Sequence, residues 1–531
     1  MTGLAGTGGL VRLILRRDRV ILPVWLGAIA VTVLQWVATA GTVYPTQASR
    51  QARFDEVAAT PMFLLFQGQL FGTSLGAVLV QRAAPVAAML AALGAALMTA
   101  RHTRAEEQTG RRELLGATGV GRHAPLTAVL AVMFGCGVLI TAVLAAVLSA
   151  AGFPPAGSLC FGLVIGCSLW LTAASTAVLA QLAQHARVAA IGGFALFYAL
   201  HLLRGIGAMG GDAAAWLVWL TPTGWLENTR PFAGERWWIF ALVTAAILLA
   251  GAGAYALSAR RDLGAGLVPP RAGHGHAPAS LRGPLGLVWR LGRAMLITWV
   301  VGAAAFGVIM GAVGSGAMGA YAGSPWVIDF ARMINTDDVA DALFTYIIGA
   351  MAIVVGMYGV MTTLRLRGEE AGGAAETILS GPVSRHRFVA AHLGFAAVAP
   401  VLILAALGAG LGLGSGLSGG DLAGELVRLL GHTLRYAPAI WVIIGVTAVA
   451  FGLVPRAATV IGWAGLAIGV TAEVAVKAYV LPEWVFRAVS PFSHVSPAYG
   501  SGAVDYLALT ALAAVLIVAT MITFRRRDLA V

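Results

Sequence analysis

The sequence predicts an all-α polytopic membrane protein of about 12 transmembrane helices, arranged as two parallel six-helix repeats. Three observations predict it. Apolar residues make up 59% of the 531, charged residues only 11%, and the mean hydropathy is +0.84, whereas a soluble domain carries about 25% charged residues. Apolar runs of about 20 residues, enough to cross a bilayer, recur along the whole chain. A polar segment in the first half also returns in the second.

The elements follow in chain order. LVRLILRRDRV (10–20) puts Leu10, Leu13 and Ile14 on one helical face and Arg12, Arg16 and Arg19 towards another. That pattern suits a helix lying in the membrane interface; a plain basic flank to the first span fits nearly as well and implies the same orientation. LVWRLGRAM (287–295) is its second-half counterpart. The apolar stretch from Ile21 is too long for the core of a cleavable signal. First-half spans fall near 21–40, 83–100, 124–150, 157–182, 188–208 and 237–257, and second-half spans near 294–314, 343–363, 388–413, 435–454, 457–480 and 504–523. Before the sixth span, WLVWLTPTGWLENTRPFAGERWW (216–238) holds five Trp, and LPEWVFRAVSPFSHVSPAYG (481–500) takes the same place in the second half. Trp at that density anchors a segment at the interface. A Pro/Gly-rich cytoplasmic linker, 264–286, separates a first half, 1–263, from a second, 287–531.

Charge orients the spans. Of the 35 Lys and Arg only Lys477 is Lys, and with the N-terminus in the cytoplasm the inner segments hold 24 of the 35. Asp329, Asp337, Asp338 and Asp341 gather outside. This positive-inside bias places both termini in the cytoplasm. The net charge of +12 lies in short loops beside apolar spans, which argues against a nucleic-acid partner. No glycine-rich loop ends in Lys followed by Ser or Thr, so the chain has no phosphate-binding loop with which to hydrolyse ATP. Cys136, Cys160 and Cys167 lie in apolar runs without metal-ligand spacing, and the His residues form no constellation, so no metal site is expected.

The repeat aligns MTARHTRAEEQTGRRELLGATGVGRH (98–123) without gaps on MTTLRLRGEEAGGAAETILSGPVSRH (361–386), with ten of 26 positions identical. Six spans per half give both copies the same orientation. Arg104, Glu106, Glu107, Gly110, Glu113 and Arg122 recur as Arg367, Glu369, Glu370, Gly373, Glu376 and Arg385. On one helix the seven-residue spacing of Glu106 and Glu113, or of Glu369 and Glu376, puts both carboxylates on one face, two turns apart. A short amphipathic helix of this kind is shaped to dock on a cytoplasmic partner; a solvated loop whose charges hold helix ends at the interface is the plainer alternative. Each half also ends alike, RRDLGAG at 260–266 and RRDLAV at 526–531.

EEQTGRRELLGATGVGR, and more loosely EEAGGAAETILSGPVSR, resembles the cytoplasmic signature of ABC-2-type transporter permeases. Over essentially its full length the chain is similar to the fused two-in-one actinobacterial type, described as exporters of polyketide antibiotics (tetronasin type) and multidrug efflux permeases. The resemblance implies that 98–123 and 361–386 form coupling helices seated in two copies of a separate ABC ATP-binding subunit. It implies no cofactor in this chain, with ATP and Mg acting in that partner. It also implies a bacterial plasma-membrane location, short re-entrant helices at 216–238 and 481–500, and a hydrophobic or amphipathic drug-like substrate moved outward. The copies differ: Arg111 and Arg112 become Ala374 and Ala375, and Gly119 becomes Pro382, so their docking surfaces are not equivalent.

Ionisable groups inside spans are candidates for the translocation path. His201 and Arg204 interrupt the fifth span, and Glu473 and Lys477, at i and i+4, the eleventh. They either line that path or satisfy one another near the headgroups. The alternative function is a proton-coupled secondary multidrug transporter, for which Glu473 is the one clear intramembrane carboxylate.

Overall fold

Long runs of Ala, Leu and Val with few breakers favour helix, and a bilayer admits little else, because every backbone group must be satisfied within its own segment. The computed structural model describes residues 3–116, 119–262, 264–268, 276, 281, 283–321, 339–477 and 482–527, and among them there is no strand. Contacts divide the chain into two units, Met1–Gly273 and His274–Val531. Among the described residues eleven helices are long and apolar enough to cross a membrane.

Unit 1 begins with α1 (Thr7–Arg17) and the first span α2 (Ile21–Val43), followed by α3 (Gln47–Ala59) and α4 (Pro61–Phe66). Leu10 and Ile14 are buried, while Leu13, expected on the same face, is 52% exposed. The second span, α5 (Leu75–Ala100), starts at Leu75 rather than near 83. The hydroxyl of Ser74 caps it by accepting the Ala77 N–H at 3.0 Å, and Gln81, in its second turn, is buried. At its other end α5 runs on through a wide π turn, Arg101–Ala105, to Glu106–Gln108. Then come α6 (Arg111–Gly116), α7 (Ala124–Ala150), α8 (Pro155–Leu182), α9 (Ala186–Met209), α10 (Gly211–Leu220), α11 (Pro222–Glu227) and α12 (Ile239–Arg260).

Unit 2 opens differently. Where unit 1 breaks between α1 and α2, α13 (Pro284–Tyr321) continues without interruption through 287–295. The unit 1 break centres on Asp18, which is fully buried against Arg101, at 3.1 Å, and His102. LVWRLGRAM contains no such acid. After α14 (Val339–Thr363), α15 (Arg365–Ala371) and α16 (Ala374–Leu379) come α17 (Arg385–Gly419), α18 (Leu422–Leu434), α19 (Ala437–Leu453), α20 (Ala458–Lys477), α21 (Glu483–Val489) and α22 (Ala503–Arg526). The tenth span thus starts at Leu422 rather than near 435. Its first turns carry Glu425 and Arg428, which pair at 2.7 Å, and Arg428 also meets Asp341.

Small residues bring the helices together. LGAGLGLGSG in α17 alternates glycines between two faces. A Cβ on Gly410 or Gly414 would strike the backbone of α13 near Ala304 and Val308, and one on Gly408, Gly412 or Gly416 would strike that of α18 near Leu430, Leu426 and Leu422. Close backbone approach of this kind replaces the hydrophobic drive that helices lack in lipid. Both units also carry an indole tie: Trp170 Nε1 donates to the Phe134 carbonyl of α7 at 3.1 Å, and Trp441 Nε1 to the Ala397 carbonyl of α17 at 2.9 Å.

Candidate functional site

Each repeated segment is a pair of short helices bent at a glycine, so the single helix expected from the seven-residue spacing is corrected. Gly110 stands at φ 71 and its counterpart Gly373 at φ 74, a left-handed conformation open to glycine at little cost. The bend puts Glu106 before the break and Glu113 on α6, and likewise Glu369 on α15 and Glu376 on α16. The carboxylates of each pair therefore do not share one helical face.

The bend also separates inward from outward residues. Glu107 is buried, and three guanidinium groups converge on it. Arg104 meets it at 2.5 Å and Arg261 at 2.6 Å, and Arg112 joins them. Arg104, itself fully buried, donates to the carbonyls of Ala183 (2.7 Å) and Ala265 (2.6 Å), and Arg261 to Gln181 Oε1 at 2.7 Å. Burial, together with its guanidinium neighbours Arg261, Arg104 and Arg122, lowers Arg112 to about 10. Arg122 donates to the carbonyls of Ser258 and Ala259, at the last turn of α12.

Unit 2 builds a corresponding clasp. Buried Glu370 pairs with Arg527 at 2.5 Å, and Arg385 donates to the Arg527 carbonyl at 2.7 Å. Arg367 turns to the Thr459 hydroxyl. Ala375 lies buried where unit 1 has Arg112. The like endings RRDLGAG and RRDLAV thereby acquire a structural use, since Arg261 and Arg527 are their second arginines. Glu369 lies 3.2 Å from His392, and Glu106 is joined by Arg17 of α1. Glu113, Leu114 (75% exposed) and Glu376 face outward.

At the opposite end of unit 1, Arg204 is buried and pairs with Glu227 of α11 at 2.6 Å; it also donates to the Leu65 carbonyl at 2.9 Å. His201 lies 3.1 Å from the Phe66 carbonyl. Glu227 was not singled out by sequence reasoning, because its partner lies 23 residues away and across two helices. The five Trp of 216–238 lie around this end, with Trp216, Trp219, Trp237 and Trp238 at least 41% exposed. In unit 2, Glu473 is partly buried. The Lys477 side chain, the acids Asp329, Asp337 and Asp338, and most of the linker 264–286 lie outside the described residues. Among the described residues no cluster of His, Cys, Asp and Glu could hold a metal ion, and all three cysteines are buried and free.

Apolar helices of spanning length, joined through glycine contacts and carrying polar clasps near their ends, define an all-α multi-pass membrane protein. Residues 281–525 match the family described as "Multidrug efflux system permease Rv1217c, C-terminal domain". The multidrug efflux system permease protein Rv1217c of Mycobacterium tuberculosis is 37% identical over 535 aligned residues, covering 99% of this chain and 96% of that protein. The chain belongs to this family of multidrug efflux permeases.

Proposed function

We propose that this permease is the membrane subunit of an ATP-driven ABC exporter, carrying hydrophobic or amphipathic compounds out of a bacterial cell. Two copies of a separate ABC ATP-binding subunit dock at 98–123 and 361–386; ATP and Mg act there, and this chain supplies no catalytic group. Both termini and both segments face the cytoplasm in this reading, as the arginine bias requires. The observation that carries it is the clasp built twice. Glu107 on Arg261 and Glu370 on Arg527 tie each segment to the end of the last helix of its unit. A force applied to the segment therefore reaches the second, third and sixth spans of that unit together.

The outward residues Glu113 and Glu376 are the docking contacts, and Arg104, Glu107, Glu370 and Arg122 shape the segment behind them. Purification from native membranes in mild detergent, followed by native mass spectrometry, tests this. The expected result is the 54.5 kDa chain with two copies of an ATPase, lost in the double variant Glu113→Arg, Glu376→Arg. Recovery of the chain alone, with transport that persists without ATP and collapses with the proton gradient, would establish proton coupling instead, and Glu473→Gln should then abolish it.

A further inference from the structure

We propose that the cavity at the α4–α11 end of unit 1 binds the anionic head group of an amphiphile, with Arg230 as the recognising residue. The cavity lies between α5, α8 and α9 beneath the loop that follows α11, and offers about 80 Å³ of free space. Its walls are largely apolar, formed by Val80, Ala84, Pro85, Ala88, Val164 and Phe197. The charged groups on its lining are Arg204, Glu227 and Arg230. Arg204 and Glu227 neutralise each other at 2.6 Å, which leaves Arg230 as the uncompensated charge.

Arg230 is unusual in three ways. Its guanidinium stacks 4.5 Å above the Phe71 ring, its Nε is buried without a hydrogen-bond partner, and among the described residues no carboxylate pairs with it. Burial and the neighbouring charge of Arg236 both disfavour its cationic form. Its backbone, at φ 53, occupies the left-handed region that side-chain-bearing residues rarely adopt, and Phe232 follows at φ 60. Phe232 holds the loop in place: its ring lies against Gly76 and Gly157, where a Cβ would collide with it. The loop is thus fastened in a strained shape that keeps an unpaired guanidinium at an apolar cavity.

The side chain is only partly buried, and the terminal nitrogens of its guanidinium carry no carboxylate among the described residues, so they are free to take an anion. A planar fork favours a carboxylate or a phosphate oxygen pair. The free space equals that of roughly two or three waters, which suits a head group whose tail remains along the apolar wall or in lipid. The ligand class is therefore a singly anionic head on an apolar tail. Two sources share that chemistry, a carboxylated cargo and an anionic membrane lipid. Assigning the site to cargo rests on the export reading; binding itself does not.

The test uses the full chain in nanodiscs of phosphatidylcholine alone, titrated with the fluorescent fatty acid cis-parinaric acid and compared with empty discs. Saturable binding is expected, with its methyl ester binding at least about tenfold more weakly. Arg230→Gly removes the guanidinium while relaxing the backbone, so it should melt no earlier than wild type yet lose the same factor; Arg230→Lys should recover part of it. Displacement by phosphatidylglycerol would assign the site to lipid. Retention against phosphatidylglycerol would assign it to a carboxylated cargo. Equal binding of acid and ester, or undiminished binding in Arg230→Gly, would overturn the proposal. No ATPase takes part, so failure here leaves the export reading standing, and the reverse holds too.

Discussion

Glu107 and Glu113 sit six residues apart in one segment, yet their surroundings give them opposite roles. Glu107→Gln leaves buried Arg104 and Arg261, with Arg112 beside them, around an amide, and removing one partner of a buried ion cluster costs about 3–5 kcal/mol. The melting temperature of the purified chain should fall clearly in Glu107→Gln and stay unchanged in Glu113→Gln; equal melting of the two would refute the buried clasp. Gly110 and Gly373 are a second residue-scale case. A Cβ in the left-handed conformation costs about 1–2 kcal/mol, so Gly110→Ala or Gly373→Ala should lower the melting temperature modestly. Because either change also favours straightening the bend, it should reduce ATPase recovery more than stability.

Helices in lipid associate through fit, and α17 shows the rule along its own length. Gly410 and Gly414 meet α13, Gly408, Gly412 and Gly416 meet α18, while Gly394 meets nothing. Gly410→Leu should cost about 1–3 kcal/mol or more through overpacking, seen as early melting or a broadened size-exclusion peak. Gly394→Leu, on the same helix, should be tolerated. If both behave alike, glycine in α17 reflects composition rather than contact. The clasps act at this scale too, since each fastens a bent segment to the final turn of α12 or α22.

At the scale of the whole chain the questions are direction and coupling. Cys136, Cys160 and Cys167 are buried, so they give little background to an impermeant thiol reagent. New cysteines at Glu113 and Glu376 should label only in inverted membrane vesicles, and one at Trp238 only in intact cells. Labelling with the opposite sidedness would reverse the orientation and remove both segments from the reach of a cytoplasmic ATPase.

Length and apolarity are properties of the chain taken in order, and for that reason the sequence by itself determined the all-α class, the places of the spanning helices and the repeated segment. It also marked Gly110, Gly373 and the two RRD endings as matched positions. What it could not yield was pairing between residues far apart in the chain. Glu107 finds Arg261 across 154 residues and Glu370 finds Arg527 across 157, because the bundle brings the end of its sixth span to the segment that follows its second. Packing of other helices brings Glu227 to Arg204 in unit 1 and, in unit 2, turns one glycine run into two contact faces. The two-turn carboxylate stripe failed for a local reason: periodicity assumes one unbroken helix, and a glycine at positive φ ended it. Only the tertiary structure decided which charges point inward to shape the segment and which are left exposed, because burial depends on neighbours that spacing along the chain does not specify.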